Sequence, residues 1–132
     1  MENNKLIAAF ATNDGRTLIK DHFGEAKHFL RYETSKCCLN FLDTVENNSE
    51  EEKMHSDPKK AKSITSILEK ESVQVLVSNA FGGNIVRMKK KFVCIKCNNY
   101  DLIEDSFSVI IKNFDLILAE WEKGEDRNFL VL

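Results

Sequence analysis

The sequence predicts an α/β fold on a mixed five-stranded sheet, and three observations carry that prediction. Leu6-Ile7-Ala8-Ala9-Phe10-Ala11 is an almost uninterrupted apolar run, too short for a helix and closed by Asn13-Asp14-Gly15, as in a strand buried on both faces. Two strand-like segments, residues 29–34 and 37–45, follow with only Ser35 and Lys36 between them, the spacing of an antiparallel hairpin. Beyond residue 57, helical and strand-like segments alternate, the pattern of strands joined by helical crossovers.

Each element can be justified in turn. Asp14-Gly15 marks a turn, and residues 17–27 are polar and irregular around Gly24. Residues 46–56 lack any apolar period and read as a surface loop, with Glu50-Glu51-Glu52 a solvated turn. Asp57 then supplies a helix cap and Pro58 a first helical residue, and Ala61, Ile64, Ile67 and Leu68 form one apolar face. Residues 73–77 are a fourth, buried strand. Ala80-Phe81-Gly82-Gly83 is a glycine loop before a short helix carrying Ile85 and Met88, and residues 92–97 are the fifth strand. The last helix starts near Asp101, with Glu104 placed as in a capping box. It keeps helical spacing from Ile103 to Trp121 and stops at Gly124. The apolar tail Phe129-Leu130-Val131-Leu132 is expected to dock on the body or on a second subunit.

The whole chain, 1–132, reads as one domain in which 115–132 extend the last helix and form a tail. Right-handed crossovers place the fourth and fifth strands parallel to the first, giving the order 3-2-1-4-5 of a three-layer, ribonuclease H-like fold.

Composition narrows the function. At 42% hydrophobic and 30% charged, this is ordinary globular protein. A net charge of -2, from 19 basic and 21 acidic residues, speaks against a nucleic-acid binder. No segment approaches the roughly 20 apolar residues of a membrane span, and Met1-Glu2-Asn3-Asn4-Lys5 does not open like a signal peptide. A cytoplasmic monomer or homodimer is expected. In that setting the four cysteines are free thiols. Cys94 and Cys97 lie three apart on a strand and face opposite ways, so they do not share a metal. Cys37 and Cys38 also diverge if extended, and all four are read as packing residues.

In open α/β sheets ligands bind beyond the carboxyl ends of strands, here between the first and fourth. The loops 13–27 and 79–84 leave at that point. Gly82 and Gly83 precede a helix whose N–H groups suit an anion. The first loop holds Asn13, Arg16, Lys20, His22, Phe23, Gly24 and Lys27. A loop histidine such as His22 suits a metal ligand or an acid–base group, although it could serve only to hydrogen-bond the loop; His28 opens a strand and is read mainly as pairing surface.

His22-Phe23-Gly24-Glu25-Ala26-Lys27-His28-Phe29-Leu30-Arg31-Tyr32 resembles the signature of the dinitrogenase iron–molybdenum cofactor biosynthesis family, His-Phe-Gly, four residues, then Phe-x-x-Tyr. Thr12-Asn13-Asp14-Gly15 and the helix–strand pair 60–78 fit as well, so the resemblance spans roughly residues 5–113. It implies a non-enzymatic carrier that binds an anionic metal–sulfur cluster, Fe–S or molybdenum-containing, between cluster-donor and cluster-acceptor proteins. It also implies His22 as the metal ligand, with Phe23, Gly24, Asn13, Arg16, Lys20, Gly82 and Gly83 around the cluster. Such a cluster brings its own sulfide and needs few protein ligands, positive charge and N–H donors. One departure stands out: the family's Gly-Gly-Ile-Gly-Pro loop is here Ala80-Phe81-Gly82-Gly83-Asn84, with bulk at Phe81 and no proline.

Two other classes compete. One is a cofactor-free interaction or regulatory domain on the same fold. The other is a nuclease, ranked last, because two-metal chemistry needs clustered carboxylates and the first strand supplies none.

Overall fold

The computed structural model describes residues 4–49, 58–97 and 99–132. The Asp57 cap and the Glu50-Glu51-Glu52 turn lie outside the described residues. Among the described residues ten strands and α-helices form in chain order: β1 (Leu6–Thr12), β2 (His28–Thr34), β3 (Leu39–Glu46), α1 (Pro58–Lys70), β4 (Val75–Ser78), α2 (Ile85–Met88), β5 (Val93–Lys96), α3 (Phe107–Lys112), α4 (Phe114–Glu122) and β6 (Leu130–Val131). The sheet order is β3-β2-β1-β4-β5-β6. β1 is antiparallel to β2 and parallel to β4, which is parallel to β5.

The period-two geometry of the central strands sorts the core into two halves. Ala8, Phe10, Val75, Val77, Val93 and Ile95 pack with Ile103, Ile110, Phe114 and Ile117 of the C-terminal helical region. Ala9, Ala11, Leu76 and Cys94 pack with Ala61, Ile64 and Leu68 of α1 and with Met88. Helices therefore cover both faces. Cys94 and Cys97 fall in opposite halves, as the strand alternation requires.

Four sequence expectations need correction. The sheet has six strands, not five: the tail adds β6 in parallel to β5, pairing Ile95 with Leu130 and Lys96 with Val131. The bare edge of β5 offers backbone groups that the apolar tail satisfies, and the Leu132 N–H donates to the Lys96 carbonyl at 3.0 Å.

The last helix is not continuous. It breaks at Asn113 (φ −104°, ψ 17°), whose side-chain amide donates to the Val109 carbonyl at 2.8 Å and competes with the backbone for it. The Asp101–Glu104 capping box does not form. Asp101 instead pairs with Lys20 at 2.8 Å, and no side chain caps the 3-10 turn Glu104–Ser106.

The cysteine pair in the hairpin also differs. β3 begins at Leu39, so Cys37 and Cys38 sit in the turn with their sulfurs 3.4 Å apart, and Cys37 is exposed. Extended divergence does not apply to residues in a turn. Gly124 does close α4, in the left-handed region at φ +68°.

Candidate functional site

The loop after β1 is built from its first residues. Asp14 accepts from the N–H groups of Arg16 (2.9 Å) and Thr17 (2.8 Å) and from the Thr17 hydroxyl (2.9 Å), an Asx turn closed by Gly15 at φ +81°. The Thr17 and Arg16 N–H groups hold the Asp14 carboxyl well below its usual range. Leu18 and Ile19 then bury on opposite core halves, which pins this irregular segment to the sheet.

His22 follows beside the loop after β4. It bridges Ala80 in parallel fashion, and the Phe23 N–H donates to the Ala80 carbonyl at 3.0 Å. Phe23 is buried and stacks between two rings, Phe29 at 4.8 Å and Phe81 at 5.5 Å between centroids. Phe81, the bulky departure in the second loop, is thus packed against the signature phenylalanine. Phe129 of the tail meets the Phe81 ring edge-on at 5.5 Å. Asn47 closes the far end, its side-chain amide donating to the Gly24 and Ala26 carbonyls at 3.0 and 2.7 Å.

Between these loops and α1 lies a cavity of about 30 Å³, lined in part by His22, Phe23, Gly24, Phe81, Gly82 and Lys60. It is tight because glycine lets its walls approach: a Cβ on Gly24 would come within 2.7 Å of Ile64 Cδ1.

The structure thus brings together His22, Phe23, Gly24 and Gly82. The remaining residues expected at the site do not line the cavity. Asn13 accepts from the Lys27 N–H at 2.9 Å, and Arg16 gives its carbonyl to the Ile103 N–H at 2.8 Å. Lys20 turns to Asp101, and Gly83 lies just beyond Gly82 at the start of the turn into α2. His28 is a cross-strand partner, its Nδ1 within 2.8 Å of Glu46.

Lys60 is the residue the sequence reading passed over. Its signal was present: positions 60, 64 and 68 form an i, i+4, i+8 stripe, and all three are buried. The stripe is hard to see in the sequence because lysine is a residue type that usually stays exposed.

No three His, Cys, Asp or Glu side chains among the described residues converge to hold a metal ion. His22 would therefore be a lone protein ligand, which suits a species that carries its own sulfide and not a bare ion. The cavity has room for about two waters, too little to enclose a polynuclear cluster. Half-buried His22 is reachable from outside, so a cluster fits only with one edge facing this wall. Among the described residues no helix is long and apolar enough to cross a membrane.

A crystal structure from Methanocaldococcus jannaschii, of a protein provisionally assigned as a dinitrogenase, resembles this fold with a TM-score of 0.55 and 20% identity. The match covers 86% of this chain and 92% of that one, and at this identity it speaks for the fold alone. No curated protein matches. The sequence profile described as dinitrogenase iron–molybdenum cofactor matches residues 4–107, from just before β1 to the start of α3, and so includes both site loops. With that match over most of its length, the chain belongs to the dinitrogenase iron–molybdenum cofactor family.

Proposed function

We propose that this protein binds an anionic metal–sulfur cluster without transforming it, and passes it between a donor and an acceptor protein. The observation that carries the reading is the placement of His22. Its backbone is anchored to the β4 loop, its ring is half-buried, and it stands at the carboxyl ends of β1 and β4. That is where α/β sheets hold ligands. Family membership associates the chain with iron–molybdenum cofactor processes; carriage by this chain, the Fe–S or molybdenum content and the cytoplasmic setting are our reading. We also read the chain as one ribonuclease H-like domain, in which an antiparallel β3-β2-β1 half adjoins a parallel β4-β5-β6 half.

The chemistry asked of the protein is modest. An imidazole supplies one ligand, the Phe29–Phe23–Phe81 stack holds its loop in place, and the cluster keeps its sulfides. Anaerobic reconstitution with iron, molybdate and sulfide, followed by gel filtration and metal analysis, tests this. A stoichiometric chromophore that weakens in His22→Ala is expected. A colourless protein that also refuses preformed cofactor would overturn the reading in favour of a cofactor-free interaction domain. That second reading draws on Phe41 and Leu42, which are exposed on the edge strand β3.

A further inference from the structure

Lys60 is 7% exposed and lines the same cavity as His22. Its Cε lies 3.5 Å from the point where a Cβ on Gly24 would stand, so the stem runs beneath the signature loop. Among the described residues it makes no ion pair and no side-chain hydrogen bond. The buried part is the aliphatic stem: Nζ is not among the enclosed unsatisfied atoms, so the ammonium reaches solvent at the edge of the cavity, where an anion can meet it. Lys60 also sits in the first turn of α1, a thirteen-residue helix whose opening N–H groups and dipole add positive potential at the same place.

Building on the carrier reading above, we propose that Lys60 and the first turn of α1 form the anion-contacting wall of the His22 site. This wall takes the sulfide edge of the metal–sulfur species while His22 approaches its metal. The cavity is too small for the cluster but large enough for one projecting sulfide. Positive charge at the site then comes from α1, not from Arg16 or Lys20 of the signature loop, which do not line the cavity.

The test uses tetrathiomolybdate as the probe, with sulfate as a sulfide-free anion, followed by visible titration and thermal melts. Lys60→Met keeps the apolar stem and removes the charge; Lys60→Arg keeps the charge; Lys62→Met, at an exposed position on the same helix, is the control. We expect Lys60→Met to weaken tetrathiomolybdate binding about tenfold or more, Lys60→Arg to weaken it less, and Lys62→Met to leave it unchanged. The empty Lys60→Met protein should melt no lower than wild type, and the probe should no longer raise its midpoint. Undiminished binding by Lys60→Met overturns the proposal, and if His22→Ala is still impaired the carrier reading survives. Equal affinity for sulfate overturns the sulfide assignment. Lys60-dependent binding of the probe by a protein that refuses every assembled cluster supports the wall and sinks the carrier reading. Failure of wild type to take either overturns both.

Discussion

The imidazole of His22 rests on Gly82: a Cβ at residue 82 would lie 2.7 Å from Nδ1 and 3.2 Å from both Cγ and Cε1. No other side chain fits there without moving the ring. Gly82 has no left-handed φ, so alanine is acceptable to the backbone and the conflict is purely one of space.

Gly82→Ala should therefore cost about 1–3 kcal/mol by overpacking and reduce cluster uptake as strongly as His22→Ala. In the His22→Ala background the same change should be nearly silent. A double-mutant cycle, read by denaturant midpoint and by metal content, checks the coupling. Additive losses would show that the ring does not rest on Gly82 in solution.

The end of α1 offers a stabilising change. The Val73 N–H reaches the Leu68 carbonyl at 3.0 Å and the Ser72 N–H the Glu69 carbonyl at 3.0 Å, a Schellman closure with Ser72 at φ +61°. A non-glycine residue pays for the left-handed conformation, so Ser72→Gly should raise stability by about 0.5–1 kcal/mol. Urea unfolding with an unchanged m-value would register it.

The four thiols should separate by reactivity. Ser35 Oγ first, then Cys38, holds the Cys37 thiol below its ordinary value. Burial pushes Cys97 up to about 12 and Cys94 further still. A chromogenic disulfide reagent near neutral pH should label Cys37 and its neighbour quickly and the other two only on unfolding, and Cys37→Ser should remove the fastest phase.

The buried pair also makes stability depend on alkaline pH. A thiol whose folded value is raised gives its full contribution below the unfolded value, ordinarily 9, and loses it as pH climbs toward about 12. Melts across that window should fall more steeply for wild type than for Cys97→Ala.

The C-terminal strap depends on Arg127. Its guanidinium lies 4.3 Å from the centre of the Trp121 ring and donates to the Lys90 carbonyl at 3.0 Å and the Trp121 carbonyl at 2.8 Å. Burial alone would raise the nearby Glu120 carboxyl, but hydrogen bonds from Lys123 and from the Asn128 N–H outweigh it and hold the group low. Arg127→Ala should cost about 2–4 kcal/mol. Hydrogen exchange at the Leu132 N–H should accelerate before that of β1, where protection tracks the global fold.

Much of this architecture was legible because local pattern and burial agree. The apolar run of β1, the hairpin of β2 and β3 and the alternation that follows are signals that tertiary packing reinforces. Of the residues expected at the site, His22, Phe23 and Gly24 do gather with Gly82. What escaped depends on distance in sequence. Lys60 joins the site only because α1 packs under Gly24, and Lys20 leaves it because Asp101, far along the chain, supplies a partner. Leu18 and Ile19 were hidden in a segment too irregular to show a period. The break at Asn113 is invisible to a hydrophobic pattern that runs straight through it.

The tail has a consequence for self-association. A sheet edge is a template, and unpaired N–H and C=O groups invite another copy to add a strand. β6 covers β5 with two residues, while Phe129 just before it meets the Phe81 ring edge-on. Among the described residues that leaves β3 as the long strand edge still open. Copies that met edge to edge through β3 would close into a pair, because among the described residues the opposite edge, β6, offers only two residues to a further strand.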